Sequence, residues 1–204
     1  MNAKRHTPQK KTSHKKVPRK KVPRKSSPAS TDRVTIRRVR SGDTFELVYP
    51  RSVLMRAEDM DEVRAMLKAG ELDVAEDELR WLVGGCEALL EGHKLLGDLA
   101  AGREDWELAR VHYAYAYELG AEAAKKGGLR GTLPYNRPNN RALHEAGRGL
   151  VNALRALNQP QLAEQVAKQL LAWDPTSAQA DHSPAHTSPA HTSPKRKRGS
   201  FRRP

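Results

Sequence analysis

An all-α fold is the class this sequence predicts: a short α-solenoid of about three helix pairs, with a possible small β-ribbon before it and a basic tail at each end. Three observations carry that expectation. From residue 57 to 175 the chain is rich in Ala, Leu, Glu and Arg, with apolar residues recurring three and four apart, the pattern of amphipathic helices. Within that stretch a set of small and bulky residues repeats at fixed offsets around Ala75, Ala109 and Ala163. The excess positive charge, finally, lies outside it.

The charge is best located before it is interpreted. The 204 residues carry a formal net charge of +13. Residues 1–31 hold eleven basic side chains and no acid, whereas residues 176–204 hold six and the single acid Asp181. The stretch between them keeps 20 basic and 23 acidic residues, so it is mildly acidic. The first tail, taken as residues 1–32, writes the unit KVPRK twice and scatters Pro8, Pro18, Pro23 and Pro28 along its length. The second, 176–204, repeats a His-Ser/Thr-Pro-Ala theme and ends in KRKRGSFRRP. Neither offers apolar surface to offset the ~1–2 kcal/mol per residue of backbone ordering entropy, so both are expected to be disordered. Proline every few residues also prevents a helix.

Residues 33–56 read as a short extension with β character. Val34, Ile36 and Val39 precede a Ser41-Gly42-Asp43 turn signal, and Phe45, Leu47 and Tyr49 alternate after it, which suggests a ribbon. A lone hairpin is marginal in water, so this one is expected to lean on the first helices.

The helical region, 57–175, is organised by the repeated set. Four and seven residues beyond the three alanines stand Leu79 and Leu82, Tyr113 and Ala116, and Ala167 and Leu170. Three residues before them stand Leu72, Trp106 and Pro160; five before stand Gly70, Glu104 and Asn158. The first two copies lie 34 residues apart and the third 54 beyond, as though about twenty residues were inserted between 120 and 144. A pair of antiparallel helices cannot cover its own apolar faces, so successive pairs stack, and a small residue is required where helices cross closely. The second helix of the middle copy is apolar around its axis, as an interior pair requires. The last helix sets Gln161, Glu164, Gln165 and Lys168 opposite Leu162, Val166, Leu170 and Leu171, as a terminal pair requires. The insert 127–141 (GGLRGTLPYNRPNNR) reads as a Gly/Pro/Asn-rich loop joining two pairs, from which Tyr135, Asn136 and Arg137 project.

With Leu96-Gly97, Trp106, Ala109, Tyr113 and Ala116 in the middle copy and Trp173-Asp174-Pro175 closing the last, the pattern resembles the tetratricopeptide (TPR) repeat. The resemblance covers about 58–120 and 144–175. It departs from the family where Val63 and Val151 replace a glycine, and where Ala100 replaces a large aromatic. It implies a concave surface, lined by the first helix of each pair, that holds a peptide. On those helices the outward residues are Lys94 and Asp98, then Arg148, Asn152 and Arg155. A basic residue followed four later by Asn resembles the pair with which some TPR domains clamp a peptide carboxylate, and Arg148 and Asn152 have that spacing. A solvated charged face is the plainer reading of the same residues.

The expected function is therefore an interaction scaffold or adaptor that binds an unidentified protein or peptide. The alternative is nucleic-acid or other polyanion binding through the tails, at Lys15, Lys16, Arg19, Lys20, Lys21, Arg24, Lys25, Lys195, Arg196, Lys197 and Arg198, by sequence-blind counterion release. Catalysis finds no motif: no HExxH, CxxC, G-x-S-x-G or phosphate loop occurs, and His93, His112 and His144 are dispersed, so no enzyme activity, cofactor or metal is expected. Cys86, a single cysteine, reads as a small core residue in a reducing compartment. With no signal-like apolar segment and no membrane span, a cytoplasmic location is expected, or a nuclear one in a nucleated cell, given the KRKR run.

Overall fold

In the computed structural model the described residues are 32–39 and 42–176. The expectations for the two tails, including their polyanion-binding side chains, lie outside these residues. The elements are β1 (Thr35–Arg38), β2 (Phe45–Val48), α1 (Arg51–Leu54), α2 (Ala57–Ala69), α3 (Leu72–Gly85), α4 (Leu90–Gly102), α5 (Trp106–Lys126), α6 (Arg141–Ala156) and α7 (Pro160–Trp173), with a 3₁₀ turn at Pro138–Asn140 before α6. The fold is thus mainly helical, with one antiparallel hairpin ahead of the helices.

The periodicity found in the sequence has a structural origin. Leu72, Trp106 and Pro160 are the first residues of α3, α5 and α7. Five residues before each of the repeated alanines the backbone turns left-handed: φ is +84° at Gly70, +60° at Glu104 and +56° at Asn158. The hydrogen bonds repeat as well. Glu71 N–H donates to Met66 O, Asp105 N–H to Ala100 O and Gln159 N–H to Leu154 O, each closing the preceding helix in the same way. Ala75, Ala109 and Ala163 are all buried. Three helix pairs, α2–α3, α4–α5 and α6–α7, are therefore joined by one turn design. The inserted residues are shared among a lengthened α5, 21 residues against 14 in α3 and α7, a longer connection, and α6 with 16 against 13 in α4.

Packing runs from α3 to α4, from α4 to α5 and α6, and from α6 to α5 and α7. Glycine makes the closest approaches possible. The ring of Tyr113 lies against Gly97 on α4 and Gly149 on α6, where an added Cβ would meet it at 2.6 and 2.4 Å. Cys86 is buried among apolar neighbours, in accord with its reading from sequence. The last helix departs from expectation: Leu162 and Leu171 are about half exposed, so α7 shows apolar as well as polar side chains to solvent.

The hairpin does not lean on the first helices. Its pairs run from Thr35 opposite Val48 to Arg38 opposite Phe45, and β1 packs on α5 while β2 packs on the 3₁₀ turn. The outer edge of β2 is closed by the insert. Phe45 N–H donates to Thr132 O at 2.8 Å, and Thr132 N–H to Asp43 O at 2.8 Å. Further along, Asn140 Oδ1 accepts from Leu47 N–H at 2.9 Å, and its Nδ2 reaches Phe45 O and Pro134 O, both at 3.1 Å. Asn139 Nδ2 donates to Leu47 O at 3.0 Å. Two amide side chains thus stand in for a third strand on an edge whose donors and acceptors require partners. The insert is a strap, not a spacer. Between those contacts it holds α7, with Leu133 N–H donating to Trp173 O at 2.8 Å and Tyr135 N–H to Asp174 Oδ2 at 2.9 Å.

Candidate functional site

The first helix of every pair contributes to one groove of about 510 Å³. Val53 and Leu54 of α1, Met60 of α2, Leu89 and Leu90 at the start of α4, and Ala142 of α6 give it an apolar lining. Arg64, Glu91, Lys94, Arg141 and Glu145 supply its charged margin. Leu54 stands at the opening with 63% of its surface exposed. The hairpin and strap reach the same groove through Tyr49, Pro138 and Asn139, and Tyr49 Oη donates to Asn139 O at 2.8 Å.

Most charges at the margin are satisfied within the fold. Arg64 is held by Asp61 and Glu91, both at about 2.5–2.6 Å. Lys94 Nζ lies 2.8 Å from Asp98 Oδ2 and 3.1 Å from Glu145 Oε2. Burial alone would lower the Lys94 pKa, but these two carboxylates outweigh it and hold the ammonium charged above its usual range. The second oxygens are engaged too. Asp98 Oδ1 accepts from Tyr113 Oη at 2.8 Å, and Glu145 Oε1 from Tyr135 Oη at 3.0 Å.

Of the five groove residues expected from sequence, Lys94, Asp98 and Arg148 fall into one network and two do not. Lys94 and Asp98 knit α4 to α5 and α6, and only Lys94 lines the groove. Arg148 lays its guanidinium over the Tyr135 ring, 4.6 Å from the centroid, with Arg141 at 6.0 Å on the same ring. Asn152 and Arg155 lie exposed further along α6. Tyr135 itself does not project into solvent: it is half-buried, bonded to Glu145 and Asp174, and edge-on to His144. His144, 1% exposed, hydrogen-bonds through Nε2 to Leu133 O at 2.5 Å, and burial keeps its pKa below the usual imidazole range despite that bond.

Sequence reasoning missed Arg141, Glu145, Tyr135 and the apolar floor as parts of one site. A spacing signal was present: Arg141, Glu145, Arg148, Asn152 and Arg155 all fall on one face of a helix. The strap had no such signal, because nothing local marks Asn139 and Asn140 as substitutes for a strand. His93 and His112, distant in sequence, meet with Nδ1 atoms 3.5 Å apart, beside the Tyr115 ring. Trp81 is 60% exposed, with Arg56 stacked 4.8 Å from its ring. Tyr113, by contrast, packs as expected. Among the described residues no group of three or more His, Cys, Asp or Glu side chains is placed to hold a metal ion, and no helix is long and apolar enough to cross a membrane. Comparison with protein-family models, with curated proteins and with solved structures finds no match.

Proposed function

We propose that this chain is an interaction scaffold, not an enzyme, in which a TPR-like stack of three helix pairs receives a segment of a partner protein between α2, α4 and α6. The observation that carries the reading is the convergence of the first helices of all three pairs on one apolar groove. The recurring left-handed turn at Gly70, Glu104 and Asn158 supports the likeness of the pairs to one another. Leu54 at the mouth continues the apolar lining of the groove, and contiguous apolar surface rimmed by polar residues is what interaction sites use. The ion pairs around it fix the walls in advance, so a partner meets a largely preformed site.

The test uses Leu54→Glu in the full chain. Leu54 is exposed, so the variant is expected to melt as the parent does. Capture from native lysate treated with nuclease should yield a protein partner on the parent, reduced at least about tenfold on the variant. Material that is equal on both, and that disappears on nuclease treatment, would instead assign the activity to the basic tails and their polyanion affinity.

A further inference from the structure

Many charges in the folded region are paired close to home. Arg37 meets Glu46, Arg38 meets Asp43, Arg110 meets Glu107, Lys126 meets Glu122 and Lys168 meets Glu164. Others, such as Arg51, Lys68 and Arg137, are in no ion pair among the described residues, and helix α6 carries three more of that kind on one face. Arg141, Arg148 and Arg155 are all exposed, and none makes an ion pair or a side-chain hydrogen bond among the described residues. They recur every seven residues, so they share one face and stand about 10 Å apart along the axis. Asn152 lies exposed on that face between the last two, and its side-chain amide can both donate to and accept from a peptide backbone.

Two features make this stripe more than a solvated face. It begins at the groove, since Arg141 and Glu145 are part of the groove lining. Its single acid is already engaged on both oxygens, one by the Lys94 ammonium and the other by the Tyr135 hydroxyl. The charge is also unevenly shared across the fold. Residues 57–85 hold nine acids and three bases, whereas 127–156 hold five arginines and one acid. At the groove itself the first helix pair contributes Arg64 as its charged side chain, already paired with Glu91, and the other margin opens on the arginine stripe.

Resting on the groove reading above, we infer that the partner segment is acidic and amphipathic: one large apolar side chain enters the groove over Met60, Leu89 and Leu90, and carboxylates about 10 Å apart continue along Arg141, Arg148 and Arg155. Guanidinium groups bind carboxylates with two parallel hydrogen bonds, which gives this stripe direction as well as charge. A nucleic-acid strand fits less well. Tyr135, the aromatic ring beside this stripe, is already covered by Arg148. Such strands depend on open stacking surfaces.

The test selects random peptides of about twelve residues, displayed on phage, against the full chain, with counter-selection on full-length R141A/R148A/R155A. Both proteins carry the same basic tails, so attraction to the tails cancels. All three arginines are exposed, and thermal melting of the variant checks that it folds. Recovered peptides are expected to be rich in Asp and Glu around at least one Leu, Ile, Phe or Trp. They should bind the parent at least about tenfold more tightly than the triple variant, with the difference shrinking as salt is raised. Peptides that are neutral or basic, or that bind parent and triple variant equally while Leu54→Glu still abolishes binding, would leave the groove standing and overturn the acidic partner. Loss of binding to a single-stranded oligonucleotide in the triple variant, with no acidic peptide recovered, would overturn it in favour of nucleic acid. Recovery of no peptide of any charge would remove both readings.

Discussion

Tyr113 shows how single residues set the spacing of the helices. Its ring fills the gap that Gly97 and Gly149 leave between α4 and α6, while its hydroxyl holds Asp98, which in turn holds Lys94. A methyl group at Gly97 would lie 2.6 Å from ring atoms that have nowhere to retreat. Gly97→Ala is therefore expected to destabilise the chain by about 1–3 kcal/mol, more than alanine's helix propensity returns. Denaturant unfolding checks it, and Gly102→Ala, with nothing near its added Cβ, is the neutral control. The repeat pattern revealed Tyr113 as a packing residue. That Lys94 serves α5 and α6 before any ligand was not legible, because its partner Glu145, and the Tyr135 that holds Glu145, come from a helix and a strap that the sequence does not place beside it.

At the scale of elements, the helices were far more legible than the strap. Helices announce themselves through local periodicity, and the three turns share a left-handed residue at one offset from a buried alanine. The hairpin was visible by alternation, but its neighbours were not. What holds it are Asn139 and Asn140, some ninety residues downstream, and long-range amide bonds leave no period to find. Asn140→Ala is expected to strip partners from Leu47 N–H, Phe45 O and Pro134 O in a buried place. Each orphaned group costs roughly 1–3 kcal/mol, so protection of the β2 amides from hydrogen exchange should fall while that of α3 and α4 is kept. The same strap carries Tyr135 to Arg148 and Glu145, so the variant is also expected to loosen the wall of the groove.

Across the whole molecule, three histidines couple stability to pH. Burial is the largest cause for each of His93, His112 and His144, and it lowers all three pKa values, that of His93 to about 4. The neighbouring His112 adds to the effect at His93, and Arg80 adds to it at His112. Below about pH 6.5 the unfolded histidines take up protons that the folded ones exclude. The unfolded state then binds more protons, so stability is full above that pH and is lost as pH falls toward 4. His93 alone accounts for roughly 2 kcal/mol by pH 5. Melting temperature should drop between pH 7 and 5, and the slope should flatten in His93→Gln. The folded region is also electrically uneven from its first helix pair to α6, a feature that a single sum over the middle of the chain conceals.

The most direct measurement places a photo-crosslinking residue at position 54 of the full chain, in nuclease-treated lysate, and another at position 74. Leu54 and Val74 are similarly exposed apolar residues, 63% and 55%, but only the first stands at the groove. A partner held between α2, α4 and α6 predicts a discrete protein adduct from position 54 and none from position 74. Equal adducts from both, or none from position 54, would contradict the proposal that the groove receives a partner.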